Sequence, residues 1–101
     1  MMRRVSNTRW RKEQYDVYRK LRLAFPNDEI LMEYPVYMSN SKFKIADLDI
    51  ANTTKRIAYR LQGEYHKKHK DDAQADKLKA NGWRVIDLLI ENGQVHCITT
   101  P

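Results

Sequence analysis

At 101 residues, with 42% hydrophobic and 32% charged side chains, the chain has the length and composition of one compact domain. Three Gly and three Pro are scattered along it, and no run of eighteen apolar residues occurs, which excludes collagen-like, low-complexity and helical membrane-spanning classes. The net charge of +6 is unevenly placed: residues 1 to 25 hold eight Lys and Arg against Glu13 and Asp16, which accounts for all of the excess. A polyanionic partner facing the N-terminal segment is expected. Met1-Met2-Arg3-Arg4-Val5 is basic but has no apolar stretch behind it, so it does not read as a secretory signal, and an intracellular setting follows. The single cysteine, Cys97, fits a reducing compartment and reads as a buried strand residue.

In chain order, residues 8 to 25 place Tyr15, Tyr18, Leu21 and Phe25 three or four apart, the period of one helix face. Trp10, Tyr15 and Tyr18 interleave with Arg9, Arg11, Lys12 and Arg19, a composition suited to lying along phosphates. Pro26-Asn27-Asp28 ends this helix, and 30 to 38 reads as extended; Pro35 within it suits an edge strand or a bend. After the Ser39-Asn40-Ser41 turn, 43 to 50 reads as a strand. Strict alternation there places Asp47 and Asp49 on one face and Leu48 and Ile50 on the other. Asn52 to Lys55 forms a tight connection to a third run, 57 to 61, closed by Gly63.

A dense charge cluster from Glu64 to Asp72 leads into a helical pattern over 73 to 80. Asn81-Gly82 stops that helix, 83 to 90 returns as a strand, and Asn92-Gly93 turns into a last strand at 95 to 98. The order helix, three strands, helix, two strands predicts an α/β (α+β) domain: a central mixed β-sheet of about five strands flanked by helices. Neither an internal repeat nor a linker interrupts residues 1 to 101, so a single domain is expected.

Carboxylates and histidines fall at or near the ends of these elements, where a scaffold holds reacting groups best. Mg²⁺ needs one or two carboxylates plus water and substrate phosphate, which Asp47 or Asp49 can supply. His66, just past the third strand, titrates near neutrality and can take a proton from water. On spacing alone, solvated Asp and His are the commoner outcome. His66 and His69 have no second Cys/His pair, which argues against structural zinc.

From Phe43 to Leu88, nearly half the chain, the sequence resembles the core of the PD-(D/E)XK nuclease superfamily, in the branch of the very-short-patch mismatch-repair endonucleases. Related homing endonucleases of phage introns carry a variant signature termed EDxHD. The resemblance rests on Ala46-Asp47-Leu48-Asp49-Ile50, on Gly63-Glu64-Tyr65-His66, and on Asp71/Asp72 followed by Leu78 and Asn81-Gly82-Trp83-Arg84-Val85. It implies a PD-(D/E)XK nuclease-like core acting on double-stranded DNA with Mg²⁺ or Mn²⁺. Glu13 would be the first-helix glutamate, and Asp47 or Asp49 the metal-binding strand aspartate. Asp47 fits the local pattern, and Asp49 fits the distance to the glycine. His66 would be the general base, and Asp71, Asp72 or Asp76 the last acid, with Asp72 preferred.

Where most members of the superfamily show Glu-x-Lys, this chain has Arg60-Leu61-Gln62. A cation at Arg60 would repel Mg²⁺ if it pointed into the site, so it must either face away or contact the scissile phosphate. Gln62 would fill the place of the lysine. The expected reaction is phosphodiester hydrolysis, with Arg9, Arg11, Lys12, Arg60, Lys67 and Lys68 on DNA. Site-specific cutting by so small a domain would need a homodimer or DNA-reading domains on a longer parent chain. The competing expectations are a catalytically inactive nuclease-fold DNA-binding domain and a junction-resolving nuclease.

Overall fold

Among the described residues, two helices and five strands follow one another as the sequence order predicts, and the sheet they build has an apolar cluster on each face. The structure is a computed structural model that describes residues 11–39, 41–63 and 73–97. Helix α1 spans Arg11–Ala24, β1 Ile30–Tyr37, β2 Lys44–Asn52, β3 Ile57–Gly63, α2 Ala73–Ala80, β4 Arg84–Glu91 and β5 Gln94–Cys97. The strands lie side by side in sequence order, antiparallel except for β3 and β4. That parallel pair is joined through α2, as a crossover requires. The fold is therefore α+β with a mixed five-stranded sheet. None of the described helices is long and apolar enough to cross a membrane.

Helix α1 begins with Glu13 in its first turn and ends with Arg22 in its last, charges that complement the helix dipole. Its inward stripe is Gln14, Val17, Tyr18 and Leu21, packed toward Ile30, Ile50, Tyr59 and Leu61. The expected stripe is thus corrected by one position. Tyr15 is about half exposed and stacks beside Tyr18, with ring centroids 6.0 Å apart, because the 3.6-residue period favours positions 14, 17/18 and 21. On the opposite face, α2 buries Ala75 and Leu78 against Val36, Leu48, Trp83 and Val85. Leu78 is 0% exposed, a burial that contributes about 2 kcal/mol.

Turn chemistry sets the chain's path. Gly82, at φ +90°, ends α2 with Trp83 N donating to Leu78 O at 2.9 Å. Asn92 and Gly93, at φ 54° and 77°, form a two-residue hairpin between Glu91 and Gln94. Pro35 lies in β1, which is an edge strand. At the other edge, β5 has only four residues, and Cys97 is exposed there, not buried as its strand position suggested.

The largest departure from strict alternation lies in β2. Leu48 packs in the cluster beneath α2, whereas Ile50 packs in the cluster beneath α1, so the expected shared face of these two residues does not form. The β1–β2 register runs from Met32↔Ile50 to Tyr34↔Leu48 and passes over Glu33 and Asp49. Glu33 has φ +52°, a left-handed conformation that is uncommon in a non-glycine residue and reverses the side-chain parity along its strand.

Candidate functional site

Asp49 occupies that break. Its Oδ2 accepts a hydrogen bond from the Leu61 backbone N–H at 2.9 Å, and its backbone carbonyl accepts one from Gln14 Nε2 at 2.9 Å. The β2–β3 register covers three pairs, ending at Ile50↔Tyr59. Beyond that point the carboxylate, not a backbone carbonyl, receives the Leu61 N–H, so the aspartate stands where the two strands separate. A carboxylate that accepts a backbone N–H is fixed in orientation.

Asp47 has a different setting. Both of its oxygens lie 3.1 Å from Lys44 Nζ, and the pair is well exposed to solvent. It is opposite Pro35 of the edge strand. The two aspartates are therefore not a shared pair: Asp49 joins α1, β2 and β3, and Asp47 makes a surface ion pair.

Arg60 resolves the question its charge posed. It is 6% exposed, and its guanidinium donates from Nε to Asp87 Oδ1 at 2.6 Å and from Nη2 to Asp87 Oδ2 at 3.0 Å. A third donor reaches Gln74 Oε1 of α2 at 3.2 Å. Arg60 and Asp87 are register partners in the parallel β3–β4 pair, so the clamp ties two strands and a helix together. Its role as a phosphate contact is therefore corrected: the guanidinium is engaged inside the domain. Gln62 is also buried, and alternation from Leu61 puts it on the α2 side with Arg60.

Glu13 approaches from the α1 side. It is half-buried and lines a groove of about 500 Å³ between α1 and β4–β5, together with Asp16, Lys20, Tyr59 and His96. Burial raises the Tyr59 phenol above its ordinary value. A second hollow of about 410 Å³ is bounded by Arg11, Gln14, Tyr15, Met32 and Glu33, beside the β2 break. Glu33 and Gln14 are thus neighbours of Asp49 that spacing along the chain did not single out. Gln14 falls on the apolar stripe of α1, and a polar residue at such a position was the available signal.

Among the described residues, no group of three or more His, Cys, Asp and Glu is placed to hold a metal ion. Asp49 by itself fits the single-carboxylate requirement of Mg²⁺. Asp76 is exposed in the first turn of α2. Arg9, His66, Lys67, Lys68, Asp71 and Asp72 lie outside the described residues. Arg11 and Lys12 are exposed; Lys12 Nζ is 3.3 Å from Asp16. Further along the same helix, Arg19 lies over the Tyr15 ring at 5.3 Å and Arg22 over the Tyr18 ring at 5.7 Å. Arg19 and Arg22 thus each stand beside an aromatic ring, the half-exposed Tyr15 and the inward Tyr18.

Comparison with family models, with curated proteins and with solved structures finds no match to this chain.

Proposed function

We propose that the chain is a metal-dependent endonuclease on double-stranded DNA, built on a PD-(D/E)XK-like core of the EDxHD type. One observation carries the reading. The helix that bears Glu13 and the strand that bears Gln62 both hydrogen-bond to a single aspartate, Asp49, at a place where the sheet opens. Such a break holds a half-buried carboxylate in a fixed orientation within β2, where a rigid scaffold positions a ligand for a hard cation. The metal ligand in this reading is Asp49, and Asp47 is left to its pair with Lys44. Glu13 neighbours Gln14 in α1 and Gln62 neighbours Leu61 in β3, one residue from each group that bonds Asp49.

Mg²⁺ or Mn²⁺, when bound at Asp49, would polarise the scissile phosphate. His66 takes the proton of the attacking water, and Lys67 and Lys68 offset charge on the phosphoryl oxygens. Asp72 is the last acid of the signature in this reading. Arg11 and Lys12 of α1, with Arg9 preceding them in sequence, contact the duplex backbone, which makes binding fall steeply with salt. Supercoiled plasmid incubated with either metal should be nicked by the parent protein and not by His66→Ala. Equal nicking by both proteins removes the histidine from the reaction.

A second reading is favoured by the exposed basic and aromatic side of α1 taken with the lack of a three-ligand group among the described residues. In that reading the domain binds DNA without cutting it, and salt-sensitive binding would persist while plasmid remained supercoiled at every metal concentration.

A further inference from the structure

The geometry points to Gln14 as a positioning residue that holds Asp49 in register for the metal, an inference that rests on the nuclease reading above. Gln14 is the buried residue of α1 and carries an amide into an otherwise apolar stripe. A buried amide without a partner is costly, and this one is satisfied by the Asp49 carbonyl at 2.9 Å. The bond falls on the residue where the β1–β2 register passes over a position and where the β2–β3 register has ended. Ladder pairing is interrupted there, so α1 supplies part of the restraint that a neighbouring strand supplies elsewhere.

Three restraints meet at that residue. Leu61 N–H orients the carboxylate, Gln14 fixes the backbone carbonyl, and the left-handed Glu33 turns the opposing strand. A carboxylate allowed to drift by an ångström loses both metal affinity and alignment with the phosphate. Gln14 makes no contact with substrate in this account; it acts through Asp49.

The test is Gln14→Met, which keeps length and helix propensity but cannot donate a hydrogen bond. Plasmid nicking is followed against metal concentration for the parent, Gln14→Met and Gln14→Glu, at a temperature where circular dichroism shows each to be folded. The expected result is a five-fold or greater rise in the half-saturating Mg²⁺ concentration for Gln14→Met, with duplex DNA affinity unchanged and partial recovery in Mn²⁺. A glutamate at the position lacks the donor when ionised and should show the same shift. Half-saturation within two-fold of the parent overturns the positioning role and leaves the nuclease reading intact. A parent protein that never nicks in Mg²⁺ or Mn²⁺ overturns both.

Discussion

The β3–β4 and β2–β3 strand pairs use charge in opposite ways. Between β3 and β4 the register continues through seven residues, from Ile57↔Arg84 to Gly63↔Ile90, and the buried Arg60 is neutralised by the partly buried Asp87. Between β2 and β3 the register stops after three pairs, and Asp49 takes a backbone N–H where a ladder would have continued. The first pair is locked together with a helix through Gln74. The second is left open. Where charges compensate internally the sheet is a scaffold, and where a carboxylate interrupts the ladder the sheet can offer that carboxylate to a ligand.

Substitutions that break the locked side should have the largest effect on stability. Arg60→Met leaves the partly buried Asp87 without its guanidinium partner and should cost about 2 to 3 kcal/mol in urea unfolding, below the range for a fully buried pair. Pairing it with Asp87→Leu should restore much of that loss, since replacing both members of a buried ion pair by apolar groups is often neutral. If the double variant is as unstable as the single one, the clamp is not a pairwise unit.

A smaller effect is expected on the open side. Glu33→Gly removes the cost of holding a non-glycine residue at φ +52° and should stabilise the domain by about 1 kcal/mol in the same unfolding assay. A loss of stability would mean that the glutamate side chain contributes more than its backbone costs. The contrast with Arg60 would then weaken, because both regions would depend on their charged groups for folding.

The smallest effect concerns the turn that joins α1 to the sheet. Asp28 accepts hydrogen bonds from Asn52 Nδ2 at 3.0 Å and Lys55 Nζ at 2.7 Å, and these hold its carboxyl below the ordinary carboxylate value. A folded-state value below the unfolded one gives stability that is present above the unfolded value, near pH 4, and is lost as pH falls through the folded value. Thermal unfolding followed downward from pH 5 should therefore fall less steeply in Asp28→Asn than in the parent. Identical acid limbs would remove this group from the pH dependence.

Much of the architecture is legible in the sequence because its signals are local. Asn81-Gly82 and Asn92-Gly93 mark a helix end and a hairpin through backbone requirements that few other residues meet, and both do so here. Pro35 identifies an edge strand for a similar reason. What escaped depends on partners distant in the chain. Arg60 and Asp87 are 27 residues apart and meet through parallel register, so an arginine that reads as a phosphate contact is an internal clamp. The parity change between Leu48 and Ile50 comes with a left-handed Glu33 on the neighbouring strand, which alternation within β2 cannot reveal. Gln14 is marked within its helix only by its place on the apolar stripe, and its partner lies 35 residues further on. The choice between Asp47 and Asp49 was open for the same reason, since only the third dimension distinguishes a surface ion pair from a carboxylate at a strand opening.

The contrast between those two aspartates is also the most direct test of the candidate site. Asp47→Asn and Asp49→Asn should be compared with the parent for nicking of supercoiled plasmid in Mg²⁺, at matched folded fraction. Asp49→Asn is expected to lower the rate by more than 100-fold and Asp47→Asn by less than three-fold. A parent-like rate in Asp49→Asn, or an equal loss in both variants, would contradict the assignment of the metal to the opening between β2 and β3.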